Sequence, residues 1–421
     1  MNFSDHSEEM LKLLLPHFEK HPRKKNAVKQ RQTDNILKIL YNDIKLAALW
    51  TSAQNVLTKV KSYLKGENES SKQLVPPWLL NESKYMPKFT CSYILDNLKG
   101  YIIYTCDIGD RKVEIYFGIF INKDFKSLEK FHKYIKKMII WLKVAFKYAP
   151  EKCSKTLKIY CFLTHFKKKL PGNQFTILSQ DHCNSAVTTS CVPHGEIIIY
   201  REEEFFKVFI HETFHTLGLD FSSMQLGRFN KKISKIFPIK SEFNLFEAYS
   251  EFWASSINCL ISAFLLTDTH DEEEFYLYSE FCLRSEQIFS LFQMVKVLDF
   301  MGVSYTNLYN NDTVSNGVRQ YLFKEKTNVF AYYIIKTVLL YNNVDFMIWC
   351  KHHNDNMFVF KNSSNNLDSF IQFITSKYKN KDLLSDIEKM KTFLKKQKGK
   401  CINPKYNTLT KTLRMSLMEM D

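Results

Sequence analysis

His211-Glu212-Thr213-Phe214-His215 places metal-binding and acid–base side chains at helical spacing. Residues i and i+4 sit one above the other on a helix, so two neutral imidazoles placed this way can reach one Zn²⁺ at about 2.0–2.1 Å. Glu212, beside the first imidazole, is placed to take a proton from a metal-activated water. The flanking residues fit such a helix. Glu196–Arg201 reads as a short strand, and Glu202, Glu203 and Glu204 read as an acidic first turn favoured by the macrodipole. Phe205, Phe206, Val208, Phe209 and Ile210 give a nearly all-round apolar surface, which predicts burial, and Gly218 is placed to cap the C-terminus. Two hydrogen-bonded core histidines are the alternative reading of the pair.

A zinc ion needs a third protein ligand. Six residues after His215 stands Phe221, which cannot ligate, and Asp220 is one residue out of that register. Glu247 and Glu251 form a second i, i+4 pair, inside Phe246–Ala254. Two carboxylates on one face of an apolar helix point to a shared cation, because burying them unpartnered is costly. Pairing with lysines on a surface helix is the competing reading, and Phe246, Phe252 and Trp253 argue against exposure.

With these residues the chain resembles the gluzincin zinc metallopeptidases, whose second motif is a ligand Glu followed four residues later by an acidic residue. The resemblance implies that Glu247 is the third zinc ligand and that Glu251 holds His211 by its other ring nitrogen. Family members more often carry Asp at the latter position, one methylene shorter. Residues 180–255, through Asn184–Thr189, Glu196–His215, Gly218–Ser222 and Glu247–Ala254, also look like the uncharacterised metallopeptidase-like proteins of large double-stranded DNA viruses. A weaker echo lies at Thr327–Tyr333. In gluzincins an edge strand just before the catalytic helix binds the substrate backbone; Asn184-Ser185-Ala186 stands in the matching place. Unpaired backbone groups on such an edge can recognise any extended peptide.

The elements that must position these residues follow from hydropathy patterning. Residues 1–65 read as polar and helical, with Leu37, Leu40, Ile44 and Ala47 at helical spacing, and Gly66–Ser83 reads as a connector. Tyr101–Thr105 and Val113–Phe120 read as two strands joined at Asp107-Ile108-Gly109-Asp110. A helix with Leu128, Phe131, Ile135, Ile139, Leu142 and Phe146 on one face follows, then strands at Leu157–Leu163, Asn184–Val192 and Glu196–Tyr200. Beyond Glu247 helices are expected at Glu273–Phe300, Val329–Leu340, Leu367–Tyr378 and Leu383–Lys396, and a poorly ordered tail from Gly399. The expected class is α+β and zincin-like: a small mixed β-sheet with a backing helix and the HExxH helix, followed by a mostly helical C-terminal subdomain. The expected divisions are an accessory segment 1–90, a sheet-bearing subdomain 91–245, a helical subdomain 246–398 carrying the third ligand, and the tail 399–421.

Composition bounds the reading. The 421 residues are 45% hydrophobic, enough for a sizeable core. The net charge of +15 comes from 51 Lys and only eight Arg; heavy Lys, Asn, Phe, Tyr and Ile use is what an A/T-rich coding genome produces. Basic runs at Lys20–Arg31, Lys133–Lys143 and Lys167–Lys169 could attract nucleic acid, but none interleaves aromatics in a recognised motif, and Arg, the preferred base reader, is rare. Ten cysteines without a CxxC pair fit reduced thiols in a cytosolic-type compartment, host cytoplasm or virion if the chain is viral. Leu11–Leu15 is too short for a signal peptide, and Ile257–Leu266 is about half a membrane span.

The expectation is therefore zinc-dependent hydrolysis of a peptide or protein substrate, with His211, His215 and Glu247 as ligands and Glu212 as general base. Tyr332 is the preferred oxyanion donor over Tyr333, His270 and Arg319, because it lies in a polar interruption before an apolar helix. Two other readings compete: an inactive zincin-fold structural or virion-assembly protein, and a basic nucleic-acid or membrane-surface binder stapled by a structural zinc.

Overall fold

A computed structural model describes residues 3–17, 27–54, 60–66, 71–80, 85–120, 126–267, 271–398 and 404–420. The chain is α+β, with one six-stranded mixed sheet among many helices. It forms two compact units: a sheet-bearing unit of residues 40–167 and 184–223, and a helical unit of residues 1–39, 168–183 and 224–421. The expected divisions near 90 and 245 are replaced by these. The reason is that residues from the expected accessory segment help to build both units. His270 and the basic run before Ala27 lie outside the described residues.

In the sheet-bearing unit the strands are β1 (Val60–Leu64), β2 (Gly100–Ile108), β3 (Arg111–Ile119), β4 (Thr156–Thr164), β5 (Ala186–Thr188) and β6 (His194–Arg201). Their order is β1-β2-β3-β4-β6-β5, with β3-β4 and β4-β6 parallel and the remaining pairs antiparallel. β1 corrects the expectation of helix through residue 65: Val60–Leu64 alternates with β2 as an exposed edge. β2 and β3 turn at Gly109, whose φ of 61° lies in the left-handed region that glycine reaches without a Cβ clash.

Burial follows strand position. Central β4 and β6 carry near-continuous apolar runs, as strands covered on both faces must, whereas β3 alternates. One face bears Ile115, Phe117, Ile159 and Ile197. Against it pack α2 (Lys126–Tyr148), through Phe131 stacked on Phe117, and α3 (Phe205–Thr216). The opposite face bears Tyr101, Tyr160, Phe162, Ile198 and Tyr200, covered by Leu79, Met86 and by Ile94 of α1 (Lys88–Asn97). The expected single backing helix is therefore half of the cover; period-2 alternation sends side chains to both faces, and each needs a partner.

The helical unit is built around two long, apolar helices packed on each other, α4 (Leu245–Leu266) and α5 (Glu272–Phe300). Asp271 caps α5 by accepting from the N–H groups of Glu273 and Glu274 at 3.0 and 3.2 Å. A π-helical turn at Phe330–Ile335 leads into α6 (Lys336–Tyr341), and α7 (Pro404–Lys411) precedes the C-terminal segment. Thr412–Met418 is buried, which corrects the expected disordered tail. No helix among the described residues is long and apolar enough to cross a membrane.

Candidate metal centre

All of α3 is buried, as its apolar surface predicts. The three glutamates before it do not form its first turn, however. The helix starts at Phe205, and Glu204 holds a left-handed φ of 59° ahead of it. Glu202 pairs with Lys130 of α2, while Glu203 and Glu204 are buried.

Two hydrogen bonds from outside the helix tie α3 to its neighbours. Trp141 of α2 donates its indole N–H to the Thr213 hydroxyl at 2.7 Å, which in turn donates to the Ile210 carbonyl at 2.6 Å. Ser154 donates its hydroxyl to the Thr216 carbonyl at 3.0 Å. At the C-terminus Gly218 adopts φ 64°, its N–H reaching the His215 carbonyl at 3.1 Å, and Leu219 donates to the Phe214 carbonyl at 2.9 Å. This is the left-handed cap predicted at Gly218.

Beneath that cap lies a disulfide between Cys153 and Cys191, against the expectation that all thiols are reduced. Its sulfurs stand 3.0 and 3.1 Å from where a Gly218 Cβ would project, so position 218 excludes a side chain for steric as well as conformational reasons. The Cys191 N–H also donates to the His215 carbonyl at 3.1 Å. Spacings of scattered cysteines carry no signal for a pair that only the folded sheet brings together.

His211 and His215 project from one face of α3 with their Nε2 atoms 3.0 Å apart and their rings at 81°. His215 is held through its other nitrogen: Nδ1 donates to Oδ2 of Asp220. Asp220 is itself fixed, Oδ1 accepting from the Ser222 N–H and hydroxyl at 2.9 and 2.7 Å. A proton on Nδ1 leaves a lone pair on Nε2 of the neutral ring, directed at His211. Two ligands at about 2.0–2.1 Å from one tetrahedral ion have their donor atoms roughly 3.3 Å apart. The observed 3.0 Å is slightly shorter and is also hydrogen-bond distance, so it fits both a shared ion and the alternative of two hydrogen-bonded histidines. Glu212 is buried, 8% exposed, between the two histidines in sequence.

Asp220, out of register as a ligand, stands behind His215 instead. The glycine cap returns the chain so that a carboxylate five residues after His215 meets the ring from behind. A Gly three residues after a histidine with an acid two further on is the signal that could have found it.

Within the helical unit, Glu247 lies in the first turn of α4. Its Oε1 stands 3.5 Å from the side-chain amide of Asn328, whose Oδ1 accepts from the Asn244 backbone N–H at 3.1 Å. Just before the π-helical turn, buried Glu325 accepts from the Ser241 hydroxyl at 2.6 Å and the Phe330 N–H at 2.8 Å. Burial raises the Glu325 carboxyl to about 7, while these two donors favour its ionised form. Glu251, one turn beyond Glu247, is buried with its carboxylate 3.7 Å from the Lys336 ammonium. Tyr332 lies in the π-helical turn, 9% exposed. Arg319, considered as an oxyanion donor, is spent on the loop carbonyls of Asn307 and Asn310.

Returning to the sheet-bearing unit, of Asn184-Ser185-Ala186 only Ala186 belongs to the edge strand β5, paired with Ile199. Ser185 accepts from the Tyr200 N–H at 2.9 Å, and the Asn184 carbonyl accepts from Arg201 at 2.9 Å. The edge position is as expected, but the strand is shorter than Asn184–Val192. Comparison of the chain with protein-family models, with curated proteins and with solved structures gave no match.

Proposed function

We propose that this chain is a zinc-dependent peptidase in which His211, His215 and Glu247 hold the ion. The observation that carries the reading is the His211–His215 pair with Asp220 behind it, two nitrogen donors 3.0 Å apart, one with its tautomer set by a buried carboxylate. His211 and His215 supply the two nitrogens of the proposed site and Glu247 the carboxylate oxygen. Their nitrogen, nitrogen and oxygen donor set is that of catalytic zinc sites that keep a fourth position open.

When bound, zinc supplies Lewis acidity and lowers the pKa of a coordinated water to about 7. Glu212 accepts the proton of the attacking water and returns it to the leaving amine. Asp220 orients His215, and Glu251 is proposed to orient His211. Tyr332 is proposed as the donor to the tetrahedral oxyanion, from a π-helical turn of the kind often found at functional sites. β5 and the residues leading into it, Asn184-Ser185-Ala186, would align the substrate backbone as a further strand.

The test is metal content by mass spectrometry on wild type beside Glu247→Ala, followed by a peptide-library assay with Glu212→Gln as control. About one zinc per chain, lost in Glu247→Ala, supports the site. Wild-type protein that takes up no zinc even when refolded with the metal would sink the reading.

A further inference from the structure

The C-terminal segment of the helical unit pairs by backbone at its two ends, the Leu413 N–H donating to the Lys168 carbonyl at 3.0 Å and the Ser4 N–H to the Glu419 carbonyl at 2.8 Å. Between these, from Thr412 to Met415, every backbone carbonyl is taken by a buried side chain. Lys296 of α5 donates to the Thr412 carbonyl, Tyr333 to Leu413 at 2.7 Å, Gln293 of α5 to Arg414 at 2.5 Å, and Lys336 of α6 to Met415. Further along, Ser7 donates to the Leu417 carbonyl at 2.7 Å and Asn258 of α4 to that of Met418 at 2.7 Å. Glu286 of α5 accepts from the Ser416 hydroxyl at 3.1 Å and the Leu417 N–H at 2.8 Å. Lys296, Gln293, Lys336 and Glu286 are each at most 2% exposed.

Buried lysines and a buried glutamate are costly inside a helical core unless something requires them. Lys336 answers Glu251 and Glu286 at 3.7 Å, and the remaining requirement is the backbone of the non-helical segment that these side chains grip. Side chains that grip carbonyls in succession read polypeptide as such, while Leu413, Met415, Leu417, Met418 and Met420, all buried, add apolar selectivity. Met and Leu suit this role because their unbranched or flexible stems adapt to the slot.

We propose that the helical unit is a receptor for a non-helical peptide segment, with the chain's own Thr412–Met420 as the resident ligand. The class of ligand is a polypeptide rich in Leu and Met, bound through its carbonyls to Lys296, Tyr333, Gln293, Lys336 and Asn258. Lys336 also stands 3.7 Å from both Glu251 and Glu286, so it joins the occupied slot to the helix that carries Glu247. The binding proposal itself is independent of the metal reading.

Native-state hydrogen exchange on the intact chain, read by mass spectrometry, distinguishes a bound segment from a core strand. Under the proposal the amides of Leu413–Met420 open together and exchange faster than those of α4 and α5, which stay protected. Exchange of the segment only in step with α4 and α5 overturns the proposal. A second experiment uses the full chain with a protease site in place of residues 399–403. After cleavage it is offered a fluorescent peptide with the sequence of residues 404–421. The expected result is uptake of one peptide per chain, with at least about tenfold preference over the same peptide with its Leu and Met residues replaced by Ser. Equal uptake of the Ser-substituted peptide, or no uptake although the segment opens, overturns it.

Discussion

Asp220 accepts the Nδ1 proton of His215, and His215 in turn presents Nε2 to His211 at 3.0 Å. A carboxylate behind a ligating imidazole sets the tautomer, fixes the ring and raises its basicity. Asp220→Ala should therefore keep the zinc stoichiometry at saturating metal but weaken affinity by about 10–100-fold. Competition with a chromogenic chelator checks this. Unchanged affinity would mean that the Asp220 contact does not tune the site.

Glu212→Gln should separate binding from turnover. The amide keeps the size of the side chain but cannot accept the proton, so peptide hydrolysis should fall by about 10²–10⁴-fold with zinc content unchanged. Activity assays beside metal analysis of the same preparation would show it. Retained hydrolysis would assign the base elsewhere.

The Cys153–Cys191 disulfide spans 38 residues and ends against the cap of α3. Closing a loop of that length restricts the unfolded chain by about 4 kcal/mol in the loop-entropy account. Reduction, or Cys153→Ser, should lower the urea midpoint of the sheet-bearing unit. Matched urea titrations with and without reductant check it, and coincident curves would deny the disulfide a stabilising role.

Glu325 gives the helical unit a pH dependence of defined sign. Its carboxyl is raised from the ordinary 4.5 to about 7 in the fold, so between these values the native state binds more protons than the unfolded one. Stability from this group is fully present below about pH 4.5 and is lost as pH rises through about 7. Glu325→Gln should flatten the fall in melting temperature between about pH 5 and pH 8; the 12 histidines also titrate there, but they do so in wild type and variant alike, so the difference between the two slopes reports Glu325. An unchanged slope in calorimetry would contradict the assignment.

Much of the fold was legible because local chemistry and tertiary structure agree. Helical spacing put His211 and His215 on one face, the apolar run Phe205–Ile210 predicted burial, and Gly218 ended the helix with the φ that glycine alone adopts cheaply. The hairpin of β2 and β3, the α2 helix and the long α5 helix fall within a few residues of their expected bounds for the same reason: periodicity is a local property. Several features were not local. Residues 60–64 became a strand because β2 offered an unpaired edge, and their own pattern carries no preference strong enough to announce it. Cys153 found Cys191 only because the folded sheet and the α3 cap bring them together.

Sequence alone determined the candidate chemistry: which side chains could hold a metal, and which could move a proton. Tertiary structure decided what stands behind them. Asp220 reaches His215 through a turn, Lys336 meets Glu251 across helices, and residues 412–418 are drawn from an expected tail into the helical core. The physical reason is that a buried charge or carbonyl takes whichever partner the packed fold brings within about 3 Å, and that choice is written in long-range geometry rather than in spacing along the chain.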